Sequence, residues 1–284
     1  MILAIASGKG GTGKTTLAVS LAAIVDKPVT YVDCDVEEPN GHLFLLPHLE
    51  DKEEITVPVP RVDHSRCTFC GKCREVCRFN AIAVLPQSVM IFDELCHGCG
   101  GCALVCPEKA IREQPRPIGT IENGRAGRIA FVEGTLKVGE AMSPPLIRAV
   151  KQRLPKGGRC VIDAPPGTSC PMIAAVRDAD VCLLVTEPTP FGLNDLKLAV
   201  ETLRALGRWF AVVINRDGIG DHRVEDYCRA EGISIAARIP ESRAIAEAYS
   251  RGRIAVDAVP EIAPQLRDIW RLVEQVAAPE KVAT

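Results

Sequence analysis

Ile2-Leu3-Ala4-Ile5-Ala6-Ser7-Gly8-Lys9-Gly10-Gly11-Thr12-Gly13-Lys14-Thr15-Thr16 opens the chain with an apolar run, a glycine-rich loop and a lysine. A short apolar run bounded by a turn signal reads as a buried strand, and the small and apolar residues over 16–25 read as a packed helix. Between them, Gly8 to Thr15 fits the G-x-x-x-x-G-K-[ST] pattern in its proper context, with a strand before it and a helix after it. The glycines let the backbone turn its N–H groups inward towards phosphate oxygens, and the helix N-terminus adds partial positive charge there. In that pattern Lys14 serves the β- and γ-phosphates and Thr15 offers its hydroxyl to Mg²⁺. A glycine-rich turn that binds nothing is the alternative, and the full pattern with both flanking elements argues against it.

Working outward, a second buried strand over 29–32 ends at Asp33-Cys34-Asp35. Further strands are predicted over 159–162, 181–185, 211–214 and 236–239, with helices between them. A hairpin is expected over 118–132, with Asn123-Gly124 favouring a tight turn and Arg125 to Arg128 suggesting a longer loop. The last helix, 262–276, places Ile262, Leu266, Ile269, Val273 and Val276 on one face, followed by a short polar tail over 277–284. This alternation predicts an α/β, doubly wound, mostly parallel sheet covered on both faces. Ligands of such sheets bind at the carboxyl ends of the strands. Asp163, in Val161-Ile162-Asp163-Ala164-Pro165-Pro166-Gly167, stands at such an end, as a Walker B acid does.

The rhythm breaks near Val57-Pro58-Val59-Pro60, and eight of the thirteen cysteines fall between Cys67 and Cys106. The predicted organisation is therefore an α/β domain formed by 1–60 and 117–284, with a small α+β insert over 61–116. The insert reads Cys67-x₂-Cys70-x₂-Cys73-x₃-Cys77 and then Cys96-x₂-Cys99-x₂-Cys102-x₃-Cys106-Pro107. Zinc sites pair two C-x₂-C ligand sets or add histidines; two triply spaced runs, each with a fourth cysteine, fit iron–sulfur ligation better. The spacing resembles that of bacterial two-cluster ferredoxins, in which the fourth cysteine of each run ligates the other cluster. That resemblance implies one [4Fe–4S] cluster on Cys67, Cys70, Cys73 and Cys106, and a second on Cys96, Cys99, Cys102 and Cys77. Arg78 stands where the usual first run has proline. His97 reads as a solvated loop residue.

Lys9, the extra lysine of the loop, resembles the signature lysine of the MinD/ParA group of P-loop ATPases. With the insert, the chain is similar to members of that superfamily that contain a ferredoxin domain. The resemblance implies ATP or ADP with Mg²⁺ as ligands, held by Gly8, Lys9, Gly10, Gly11, Thr12, Gly13, Lys14, Thr15 and Thr16. It also implies a nucleotide-dependent dimer, with a second copy or a paralogue, in which Lys9 reaches the partner's nucleotide. Asp35 resembles the switch I aspartate that orients water, and Asp163 to Gly167 resembles switch II. Lys9, Lys14, Asp35 and Asp163 are thus the candidate catalytic residues. Asn215 resembles the adenine-reading asparagine, and Pro240-Glu241 the base-side loop. Cys34, Cys160, Cys182 and Cys228 read as buried thiols. Cys170 is open between a helix-start residue and a ligand of a dimer-bridging cluster, as in the nitrogenase iron protein.

Three function classes remain: a redox-linked ATPase passing electrons to a partner, a cluster carrier serving an acceptor protein, and a spatial regulator. The near-balance of 34 basic and 36 acidic residues offers no basic footprint for nucleic acid. No apolar run approaches a spanning length, and Glu274 to Pro279 lacks the basic amphipathic character of a membrane-binding helix. Clustered cysteines read as metal ligands of a cytoplasmic protein.

Overall fold

A computed structural model describes residues 1–277; of the tail expected over 277–284, Ala277 belongs to the last helix and the rest lies outside the described residues. The strands are β1 Ile2–Ala6, β2 Val29–Asp33, β3 His48–Val62, β4 Ile82–Leu85, β5 Ser88–Ile91, β6 Ile111–Ala126, β7 Ile129–Leu136, β8 Arg159–Asp163, β9 Val181–Thr186, β10 Phe210–Asp217 and β11 Ile235–Pro240. The helices are α1 Lys14–Ile24, α2 His42–Leu45, α3 Lys72–Val76, α4 Gly101–Leu104, α5 Pro144–Lys151, α6 Cys170–Val176, α7 Pro190–Ala205, α8 Arg223–Ala230, α9 Arg243–Ser250, α10 Ala255–Ala258 and α11 Ala263–Ala277. By internal contacts the chain divides into a first unit of Met1–Lys52, Ile121–Thr135 and Ile147–Thr284, and a second of Glu53–Thr120 and Leu136–Leu146.

In the first unit β11, β10, β9, β1, β8, β2 and β7 lie side by side and parallel. Parallel strands need crossovers, and helices supply them on both faces. Alternate residues of the central strands point to opposite faces, and both sets are buried: Leu3, Ile5, Tyr31 and Val161 on one face, Ala4, Val32 and Ile162 on the other. The first set packs with Leu17, Leu21, Leu266, Ile269, Trp270 and Val273 from α1 and α11 in one core. The Trp270 indole N–H donates to the Leu21 carbonyl at 2.9 Å and ties the two helices together. A strand with both faces buried carries no polar alternation, which is why β1, β8 and β9 read as plain apolar runs.

Two expectations are corrected. The hairpin turn is at Gly127-Arg128, two residues beyond Arg125, with Gly127 at φ 58°. Asn123 and Gly124 lie within β6 instead. A Cβ on Gly124 would stand 2.4 Å from the His48 carbonyl oxygen, so glycine there serves a close backbone approach, not a turn. The region after α2 is also strand where no strand is legible. Its first residues, His48 to Glu54, are all exposed, as suits an edge strand protected by charge. Pro58 and Pro60 are tolerated at such an edge because no N–H is required there.

In the second unit β4 and β5 form an antiparallel hairpin with Ile82 opposite Ile91. One apolar cluster of this unit joins Ile82, Val89, Cys102 and Ile111, with Cys67, Cys73, Cys77 and Cys106 packed against it. A unit of this size is a weak basis for independent stability.

The close approach at Gly124 supplies a test of the corrected hairpin. Gly124→Val should lower unfolding stability by about 1–3 kcal/mol in denaturant titration, whereas Asn123→Ala, at the expected turn, should cost less than about 1 kcal/mol.

Candidate functional site

A cleft of about 420 Å³ opens in the first unit, lined by Gly10, Gly11, Gly13, Lys14, Thr15 and Thr16 on one side. Asp35, Glu38 and Asn40 border it from the loop after β2, and Asn215, Arg216, Pro240, Glu241 and Tyr249 border it from beyond β10 and β11. These residues come together because parallel strands deliver all their carboxyl ends to one edge.

Gly13 sits at φ 91°, and a Cβ on it would lie 2.3 Å from the Asn215 amide nitrogen. That amide donates to the Thr12 carbonyl at 2.8 Å. Asn215 therefore clasps the glycine loop itself while bordering the cleft, a positioning role that its sequence context as a residue after a strand does not reveal.

Behind the cleft lies a row of carboxylates. Asp33 on β2 is in register with Asp163 on β8 and Glu133 on β7, and all three are buried. The Asp33 carboxylate accepts the backbone N–H of Asp35 at 3.0 Å, of Asn40 at 3.2 Å and of Gly41 at 3.0 Å. It thus holds the loop that carries Asp35. The Tyr31 hydroxyl donates to Asp163 at 3.2 Å. The Asp163 Oδ1 accepts no hydrogen bond among the described residues. Burial pushes Asp33 and Asp163 up, as does their mutual repulsion at Asp33; the Lys14 charge opposes the rise at Asp163. Asp35 is pushed up to about 7, first by burial and then by Asp163, Glu38 and Glu37, against the downward pull of Lys14. Glu133 pairs with His42 at 2.8 Å.

Of the residues singled out from sequence, Gly10, Gly11, Gly13, Lys14, Thr15, Thr16, Asp35, Asn215, Pro240 and Glu241 border the cleft. Gly8, Lys9, Thr12 and Asp163 do not. Lys9 is paired with Glu187 at 3.2 Å. Glu38, Asn40, Arg216, Ser242 and Tyr249 border the cleft without having been singled out. Glu38 and Asn40 were accessible to sequence reasoning, since they follow Asp35 within one turn-forming stretch.

In the second unit the eight clustered cysteines sort into two cavities. Cys67, Cys70, Cys73 and Cys106 line one, of about 20 Å³. Cys77, Cys96, Cys99 and Cys102 line another of the same size, about 20 Å³. The two runs fold alike. Left-handed residues recur at matching places: Phe69 and Gly98, Gly71 and Gly100, Asn80 and Lys109. Such turns aim backbone N–H groups at sulfur. The Phe69 N–H donates to Cys67 Sγ at 3.4 Å, and the Ala110 N–H to Cys106 Sγ at 3.3 Å. Amide donors that converge on thiolates lower the cost of holding several negative sulfurs together. Among the described residues no group of three or more His, Cys, Asp or Glu side chains is placed to hold a metal ion.

His97 is exposed but not merely solvated: its ring stacks on Phe79 at 3.4 Å between centroids, and desolvation lowers its pKa. Cys34, Cys160, Cys182 and Cys228 are buried, as read from sequence, and Cys170 is exposed at the start of α6. Burial raises the Cys182 thiol to about 12 and Cys228 to about 11, so both are inert thiols.

A glycine loop between β1 and α1, with acids at neighbouring strand ends, defines a nucleotide-binding α/β protein. Residues 3–256 match the family described as the CobQ/CobB/MinD/ParA nucleotide binding domain, and the chain belongs to that family. It is 37% identical over 227 residues to the uncharacterized protein MJ0578 of Methanocaldococcus jannaschii, covering 78% of this chain and 80% of that one. It is 30% identical over 262 residues to MJ0579 of the same organism, covering 89% and 90%. The septum site-determining protein MinD of Pyrococcus horikoshii OT3, complexed with Mg-ADP, shares the fold. Its TM-score is 0.57 at 22% identity over 99% of this chain and 96% of that one.

The elevated Asp35 makes a testable statement about stability. A carboxyl with a raised folded-state pKa binds its proton more tightly folded than unfolded, so its contribution falls as pH rises from 3.8 to about 7. In the nucleotide-free protein, Asp35→Asn should therefore raise stability at pH 8 by about 1 kcal/mol, discounted for partial solvent screening. At pH 4 the difference should nearly vanish. Thermal unfolding at the two pH values checks this.

Proposed function

We propose that this chain hydrolyses ATP in a nucleotide-dependent dimer, and that its cysteine cradles hold two [4Fe–4S] clusters coupled to that cycle. The observation that carries the reading is the sorting of eight cysteines into two cavities, with the fourth cysteine of each run exchanged into the other run's cavity. The same chain carries Lys14, Thr15 and Asp35 around one cleft. Interleaved ligation of two cubane clusters requires that exchange, and the repeated amide-to-sulfur turns suit anionic sulfur. The insert proposed over 61–116 falls within Glu53–Thr120 of the second unit.

The chemistry rests on positioning and charge. Lys14, buried beside the loop, neutralises the terminal phosphates. Thr15 and the free oxygen of Asp163 are the groups fitted to Mg²⁺ and its water shell; Mg²⁺ when bound supplies further charge neutralisation. Asp35, ionised, orients the attacking water. Lys9 serves a second copy's nucleotide. Coupling to the clusters follows the chain, because the loop of Asp35 runs through α2 into β3, whose residues from Glu53 belong to the second unit. Such linkage is reciprocal for binding. The clusters pass electrons to, or accept them from, a protein partner.

A second reading, delivery of clusters to an acceptor, is favoured by one observation: Cys70 and Cys99, the second ligand of each run, are exposed. Spatial regulation on a membrane draws less support. The apolar face of α11 is engaged in the core, and no helix among the described residues is long and apolar enough to cross a membrane.

Lys9→Ala should still bind Mg-ATP in equilibrium dialysis while turnover falls on the order of a hundredfold or more. Anaerobic protein assayed with its iron–sulfur centres oxidised and then reduced should hydrolyse ATP at rates differing several-fold. Equal rates would remove the coupling and favour delivery.

A further inference from the structure

Lys9 is not free in this fold. Its ammonium lies 3.2 Å from Glu187 Oε2, and the other oxygen of the same carboxylate, Oε1, is 3.0 Å from an Arg216 guanidinium nitrogen. Glu187 is only 10% exposed, whereas Lys9 is 32% and Arg216 50% exposed. Arg216 is also 3.8 Å from Glu241, and both border the nucleotide cleft. The carboxylate stands on a rigid post. The Glu187 carbonyl accepts the Thr189 N–H at 2.8 Å, Thr189 caps α7 through the Gly192 N–H at 3.0 Å, and a Cβ on Gly192 would meet the Glu187 carbonyl at 2.3 Å. Arg216 is held at φ 53°, a conformation non-glycine residues seldom adopt.

We propose that Glu187 and Arg216 are positioning residues that hold Lys9 within its own chain and set the cost of releasing it to a partner. The inference rests on the dimer reading above. A nearly buried carboxylate deprived of every cation is costly. With two cations on Glu187, Lys9 can leave while Arg216 remains, so the latch holds Lys9 without trapping it. Removing the carboxylate frees Lys9 outright. Removing Arg216 leaves Lys9 as the sole counter-ion and tightens the latch. Because Arg216 borders the cleft, the ligand site and the latch share a residue.

The sign pattern of a double-mutant cycle tests this. The monomer–dimer equilibrium of the anaerobically purified full chain is measured by sedimentation with a saturating non-hydrolysable ATP analogue and Mg²⁺. Glu187→Gln should tighten dimerisation about fivefold, and Arg216→Gln should weaken it by a similar factor. With nucleotide saturating, the double variant should match Glu187→Gln alone, because on this reading Arg216 acts on Lys9 through the Glu187 carboxylate. Glu187→Asp, which withdraws the carboxylate by one methylene, should shift dimerisation in the same direction as Glu187→Gln and provides the test should the latter fold poorly. An unchanged or weakened dimer in both Glu187 variants overturns the latch. So does an Arg216→Gln effect that persists undiminished in the Glu187→Gln background. A wild-type chain that stays monomeric removes the dimer reading itself, whereas a dimer insensitive to Glu187 removes only the latch.

Discussion

Two aspartates buried side by side, Asp33 and Asp163, are the constraint on which the nucleotide unit is built. Parallel register on β2 and β8 puts them at the same strand end, where burial and mutual repulsion both oppose ionisation. The chain answers with groups drawn from everything nearby: three backbone amides of the loop 35–41, the Tyr31 hydroxyl and the charge of Lys14. The shape of that loop, the placement of Asp35 and the seat of the phosphate lysine all follow from this compensation. One acceptor, Asp163 Oδ1, is left over. A leftover buried acceptor beside a hydroxyl is what a cation site in this position needs.

The second unit solves a different problem by a different means. One of its apolar clusters is a handful of side chains, with cysteines packed against it. Repetition substitutes for volume: two runs with the same left-handed turns present sulfurs and amides in the same way. Cross-exchange of Cys77 and Cys106 between cavities knits the two runs into one body. On the proposed reading, ligand binding and folding of this unit are one free energy.

Much of this was legible in the residues. β1, the glycine loop and α1 carry their own punctuation, and the buried strands declare themselves as apolar runs ending in acids. The resemblance to two-cluster ferredoxins anticipates which four cysteines line each cavity. β3 was not legible, because an edge strand defended by Glu50, Asp51, Glu53 and Glu54 looks like a polar loop. The turn at Gly127 was hidden behind Asn123-Gly124, a stronger local turn signal overruled by the close approach of His48. Nor does sequence disclose that Asn215 clasps Thr12, or that Glu187 binds Lys9 and Arg216 at once. Such contacts join residues far apart in the chain, and no local pattern encodes them.

The most direct test of the account is iron and acid-labile sulfide analysis of the anaerobically purified full chain, combined with electron paramagnetic resonance after reduction. The account requires about eight iron and eight sulfide per chain and the signals of two nearby [4Fe–4S] clusters. Stoichiometric zinc without sulfide, with the eight cysteines intact, would contradict it and leave the second unit a zinc-stabilised module on a nucleotide-binding protein.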